Sequence, residues 1–105
     1  MLEFLKKLFT PEPKPDYSQL LKNDGIILDV RTKNEYSGGH IKGSKNIPLN
    51  SLTNNLAKLK KKNQPIITCG ASGMRSSNAK SILKSHGYTQ VYNGGSWRNL
   101  NAKVS

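Results

Sequence analysis

With 105 residues, 34% of them hydrophobic, and a mean hydropathy of −0.63, the chain has material for one modest core, and its apolar runs are too short for a membrane-spanning helix. A single cysteine excludes an internal disulfide and a cysteine-built zinc cluster. Seventeen Lys and Arg against six acidic residues give a formal charge of +11, which favours anionic ligands and quickens their encounter with a cleft. The lysines are scattered, and no zinc-finger, helix-turn-helix or aromatic RNA-binding pattern accompanies them. The expectation is therefore a solvated basic surface with no nucleic-acid partner, no metal, no cofactor, and a cytoplasmic setting.

Leu2, Leu5, Leu8 and Phe9 recur at helical spacing around Lys6 and Lys7. Such a basic amphipathic segment makes at most weak contact with an anionic membrane. Three prolines between Thr10 and Pro15 predict a semi-rigid linker, so residues 1–15 are set apart from a domain over 16–105. Asp16 is placed to cap a short helix ending near Lys22, and Asn23-Asp24-Gly25 reads as a turn.

Ile26 to Val30 reads as a buried strand with Asp29 embedded in it, a carboxylate that needs a partner such as Arg31. Thr32 and Glu35 have capping-box spacing, and Gly38-Gly39 stops the helix they open. His40-Ile41 follows, then a short strand near Asn46-Ile47. Ser51 is expected to cap a helix with Leu52, Leu56 and Leu59 on one face, ending at Lys58, Lys60, Lys61 and Lys62. Pro65 opens a strand through Cys69. Ser76 or Ser77 opens a helix that buries Ala79, Ile82 and Leu83 and closes at His86-Gly87. Val91-Tyr92 forms the last strand, and Trp97 and Leu100 lead into a polar tail.

Strands alternating with helices predict an α/β fold with a mainly parallel central sheet flanked by helices. Ligands then lie beyond the C-terminal strand ends. The stretch from Pro65 to Ser76 delivers a thiol to such an end, followed by small residues, a helix start and an arginine. Backbone N–H groups in a tight turn and a helix N-terminus attract an anion, and the same environment acidifies a thiol.

Asp29-Val30-Arg31, Glu35-Tyr36, Gly39-His40-Ile41, Gly43-Ser44 and Asn46-Ile47-Pro48, with Gly73-Met74-Arg75-Ser76 and Tyr92 to Trp97, resemble the single-domain rhodanese family from about Asp16 to Leu100. The resemblance implies a rhodanese-like three-layer fold and sulfane-sulfur transfer, with a small anionic sulfur donor and a thiol or protein acceptor. It implies Cys69 as nucleophile and persulfide carrier, with Arg75 orienting the donor. Gly70, Ala71, Ser72, Gly73, Met74 and Ser76 would cradle the anion, while Asp29, Arg31, Glu35 and His40 brace the fold.

The chain departs from that family in one respect. The family's cysteine stands five residues before the arginine; here that position is Gly70, and Cys69 comes one residue early. Three readings stay open. Cys69 still reaches the cradle and transfers sulfur; or Gly70 has vacated the nucleophile position and the domain is an inactive binding module; or Cys69 to Arg75 is the wider Cys-x5-Arg loop of the phosphatase and arsenate-reductase branch. That last loop here lacks a carboxylate to act as general acid.

Overall fold

The computed structural model describes residues 15–105; the amphipathic segment and nearly all of the linker lie outside them. Helix α1 (Tyr17–Lys22) starts where Asp16 accepts from the Gln19 N–H at 3.1 Å. It turns at Asn23 and Asp24, the latter at φ 68°, into β1 (Ile26–Asp29). Helix α2 (Lys33–Ser37) carries the complete capping box, Thr32 accepting from the Glu35 N–H and Glu35 from the Thr32 N–H, and it ends at Gly38. The short β2 (Lys45–Asn46) follows.

The helix expected after Ser51 is instead two 3-10 turns, Leu49–Ser51 and Thr53–Lys58, with no side-chain cap. Asn55 is the break: its backbone is non-helical, and its side chain donates to the Ser51 carbonyl at 2.7 Å. A side-chain amide competing for a main-chain acceptor is why Asn weakens helix interiors. Leu52, Leu56 and Leu59 nonetheless reach the core as expected.

Strand β3 (Ile66–Gly70) is buried throughout. Helix α3 (Gly73–Ser85) begins three residues earlier than Ser76, because Ser72 supplies the cap by accepting from the Arg75 N–H. β4 (Val91–Ser96) runs on through both glycines. The expected polar tail is helix α4 (Trp97–Val104), capped by Ser96 and anchored by the buried Leu100.

The sheet is parallel in every pairing, in the order β2-β1-β3-β4. Period-two alternation sorts its side chains. Leu28, Val30 and Ile66 face one side and pack with Ala79 and Leu83 of α3. Ile27, Ile67 and Cys69 face the other side and pack with Leu100 of α4 and partly buried Leu20 and Leu21 of α1. Helices on both faces of a parallel sheet make the three-layer α/β architecture. Gly94 is indispensable to it: a Cβ there would lie 2.7 Å from the Thr68 carbonyl oxygen and 2.8 Å from Leu100.

Candidate functional site

Asp29 ends β1 on the α4 side of the sheet, fully buried, and is held by Arg31. The Arg31 Nε donates to both carboxylate oxygens at 3.0 Å, Nη2 donates to Oδ2 at 2.8 Å, and the Arg31 main-chain N–H donates to Oδ1. The guanidinium continues outward, donating to the Glu35 and Gly39 carbonyls, and lies 4.4 Å from the centroid of Trp97. One buried cation thus ties together the end of β1, helix α2, the Gly39 turn and the start of α4. Asn46 donates to the Asp29 and Arg31 carbonyls and closes the remaining side.

The connection between β3 and α3 is only Ala71 and Ser72, both exposed. The N–H groups of Ala71, Ser72, Gly73 and Met74 have no acceptor among the described residues, as expected where a helix begins. Arg75, in the first turn, reaches back to Glu35, with Nη1 2.8 Å from Oε1 and both side chains about a third exposed. Donation from the Thr32 N–H, then from Arg75, holds the Glu35 carboxyl below the ordinary carboxylate range. Met74 stands out into solvent, 76% exposed.

Of the residues expected in the cradle, Ser76 is placed otherwise, while Gly70 lies at the strand end beneath the loop. Ser76 is buried, its hydroxyl 2.8 Å from the Thr68 hydroxyl, so it fastens α3 to β3. Gly70 is buried and points at the first turn of α3. A Cβ on it would sit 3.2 Å from the Arg75 Cβ, 3.3 Å from the Ser72 oxygen and 3.4 Å from the Ser76 nitrogen.

Cys69 points the other way. Its side chain is fully buried among Ile27, Ile41, Ile67 and Leu100, in register with Asp29 on the neighbouring strand. Burial, with a smaller contribution from the Asp29 charge, pushes the thiol up to about 12; Arg31 opposes this weakly. An acidified thiol needs the opposite surroundings, with cations or helix N–H groups and access to solvent. His40 is exposed, stacked on Tyr36 at 3.8 Å with Nδ1 on the Tyr36 carbonyl, and it borders neither of the cavities beside the ion pair.

The larger of those cavities, about 350 Å³, opens beside the loop and is lined by Arg31, Glu35, Ala71, Ser96, Trp97 and Arg98. Arg98 lies 5.4 Å from the Trp97 ring, on which the buried Arg31 also stacks. Among the described residues Arg98 has no carboxylate partner. Its place on the cavity wall was not legible in the sequence, where its position next to Trp97 was the one usable signal. No group of three His, Cys, Asp or Glu side chains suited to a metal ion occurs among the described residues. Nor, among them, is any helix long and apolar enough to cross a membrane.

The model of the rhodanese-like domain family matches residues 14–102. An uncharacterized protein of Bacillus subtilis, YqhL, is 36% identical over 67 residues, which cover 64% of this chain and 52% of that protein; the chain spans about half the length of this relative. The thiosulfate sulfurtransferase PspE of Escherichia coli is 34% identical over 74 residues, 70% of this chain and 71% of PspE. Among solved structures, an E. coli rhodanese with anions superposes with a TM-score of 0.67 at 32% identity, over 71% of this chain and 89% of that one.

Proposed function

The chain belongs to the rhodanese-like domain family, and from that premise we propose that it is an anion-binding member whose loop holds a small sulfur oxyanion without passing its sulfur to Cys69. One observation carries this reading: the thiol lies in the apolar layer beneath α4, whereas the adjacent Gly70 faces the loop and the first turn of α3. The N–H groups of Ala71 to Met74, without acceptors among the described residues, remain for an anion, with the dipole of α3 and those Arg75 donors that Glu35 does not take. The family's nucleophile position carries no side chain. The same buried thiol weighs against the phosphatase-type reading, which also needs a thiolate inside the loop.

Transfer of sulfur through Cys69 is the second reading, favoured by relatives that carry the name thiosulfate sulfurtransferase. In that step the Cys69 thiolate attacks the sulfane sulfur of thiosulfate. A Cys–S bond forms, the S–S bond of the donor breaks, sulfite leaves with the electron pair, and a thiol acceptor later takes the sulfur. It requires Cys69 to leave the core and lose its proton, against a pKa of about 12. A cytoplasmic setting suits both readings, since neither needs a standing disulfide.

One experiment separates them. The protein is treated with thiosulfate and read by intact mass, then titrated with sulfate while backbone amide resonances are followed. The binding reading expects no added sulfur, and saturable shifts at Ala71 to Arg75 that survive Cys69→Ala. A persulfide on Cys69 would overturn it in favour of transfer.

A further inference from the structure

The Glu35–Arg75 ion pair divides the mouth of the site. On the side away from Trp97 lies a second cavity of about 300 Å³, lined by Val30, Thr32, Pro48, Leu49, Asn50 and Arg75. Its walls continue the sheet. The Val30 N–H donates to the Cys69 carbonyl at 2.9 Å and the Leu49 N–H to the Val30 carbonyl at 3.0 Å, so the cavity is bordered by pinned main chain. Preformed, largely apolar walls with one or two directed polar groups are the usual make-up of a small-molecule site.

Arg75 supplies the directed group. A guanidinium has five N–H donors, and this one commits only Nη1, to Glu35; among the described residues the others have no acceptor. Its planar fork matches a carboxylate in bidentate fashion. Thr32 and Asn50 put a hydroxyl and an amide at the exposed rim, while Pro48 and Leu49 form an apolar wall with no donors, so an anion oxygenated on every side would set some of its acceptors against hydrocarbon. A hydrocarbon body would instead cover those walls.

We propose that this second cavity binds a short-chain apolar monocarboxylate, its carboxylate on Arg75 and its hydrocarbon against the partly exposed Pro48 and Leu49. The site is distinct from the loop amides of the preceding reading and shares only Arg75 with them. Glu35 and the ligand share one guanidinium through different donors, and their like charges repel, so ligand binding loosens the ion pair and Glu35→Gln tightens the ligand.

The test is an amide-resonance titration of the full chain with hexanoate, beside hexanol and sulfate as separate probes. Hexanoate is expected to give saturable shifts at Leu49 and Asn50, with hexanol weaker by about tenfold or more, the loss of one charge-assisted bond. Arg75→Gln should erase that preference. Asn50→Trp, at an exposed position on the cavity rim, should block hexanoate while leaving the sulfate shifts at Ala71 to Met74 in place. Equal binding of hexanol and hexanoate would overturn the proposal, as would hexanoate shifts confined to Ala71 to Met74 or hexanoate binding undiminished in Asn50→Trp. Loss of the sulfate shifts alone would overturn the loop reading and leave this one standing.

Discussion

Cys69 and Gly70 are neighbours on one strand, yet the two faces of the sheet give them unlike surroundings. On the α3 face, Thr68 and Ser76 lock the helix to the strand, and Gly70 meets the first turn of a helix whose leading N–H groups have no acceptor among the described residues. On the α4 face, Cys69 lies among aliphatic side chains beside a buried Asp29–Arg31 pair. One face carries positive potential at an open surface; the other is dry around the thiol, and the buried cation beside it, Arg31, is already committed. A thiol is expected to be acid on the first and inert on the second. Reactivity here is decided by which side of the sheet a residue faces, more than by its place in the sequence.

The largest expected effect comes from breaking the α4 face. Asp29→Ala leaves Arg31 buried without its counter-charge and should cost about 3–5 kcal/mol, read as a lowered urea midpoint, with the Gly39 turn and Trp97 loosened in amide exchange. Next comes a transplant across the strand. In a Cys69→Ala background, Gly70→Cys puts a thiol against the α3 first turn, where its Cβ meets neighbours at 3.2 to 3.4 Å and needs a shift of a few tenths of an ångström. Its alkylation near neutral pH should outpace that of native Cys69 by about 100-fold or more, and thiosulfate should add one sulfur atom. An equally inert thiol in the Gly70→Cys variant would mean the loop does not acidify thiols, and the contrast between the faces would fail.

Smaller effects sharpen the same contrast. Cys69→Ala alone should cost about 1 kcal/mol for a small buried side chain and leave sulfate binding unchanged. It should also alter the alkaline limb of the stability profile. With the native thiol raised to about 12, the unfolded thiol loses its proton first, near pH 8.5. Stability therefore falls as pH rises from there towards 12, and Cys69→Ala should remove that part of the slope. The smallest effect concerns Glu35, whose pKa is lowered. Its support for the α2 cap and the Arg75 pair is present above the ordinary Glu value and lost only as pH falls through the depressed one. In Glu35→Gln the corresponding acid-limb change should be absent.

Much of this was legible in the chain itself. Asp16, Thr32 with Glu35, and Gly38 mark helix ends through local main-chain chemistry, and the structure uses each of them. Asp29 beside Arg31 announced a buried pair because an embedded carboxylate demands a cation. Strand–helix alternation pointed to the parallel three-layer fold. The misreadings lie where short-range signals compete. Ser72, Ser76 and Ser77 are all able caps, and only the geometry of the β3–α3 turn chooses Ser72. Gly94 and Gly95 look like a strand end, but the closeness of Thr68 and Leu100 requires a glycine within the strand.

Local spacing is enough to place Cys69 and Gly70 on opposite sides of a strand, since strand side chains alternate, and three motifs in order are enough to indicate one family of folds. Which side is which is a matter of long-range packing. Facing is set by the register of β3 between β1 and β4, by α3 packing on one layer and α4 on the other. Those contacts join residues far apart in the chain, and neighbouring residues carry no record of them. The two cavities beside Arg75 arose the same way, from separate segments meeting at the ends of parallel strands.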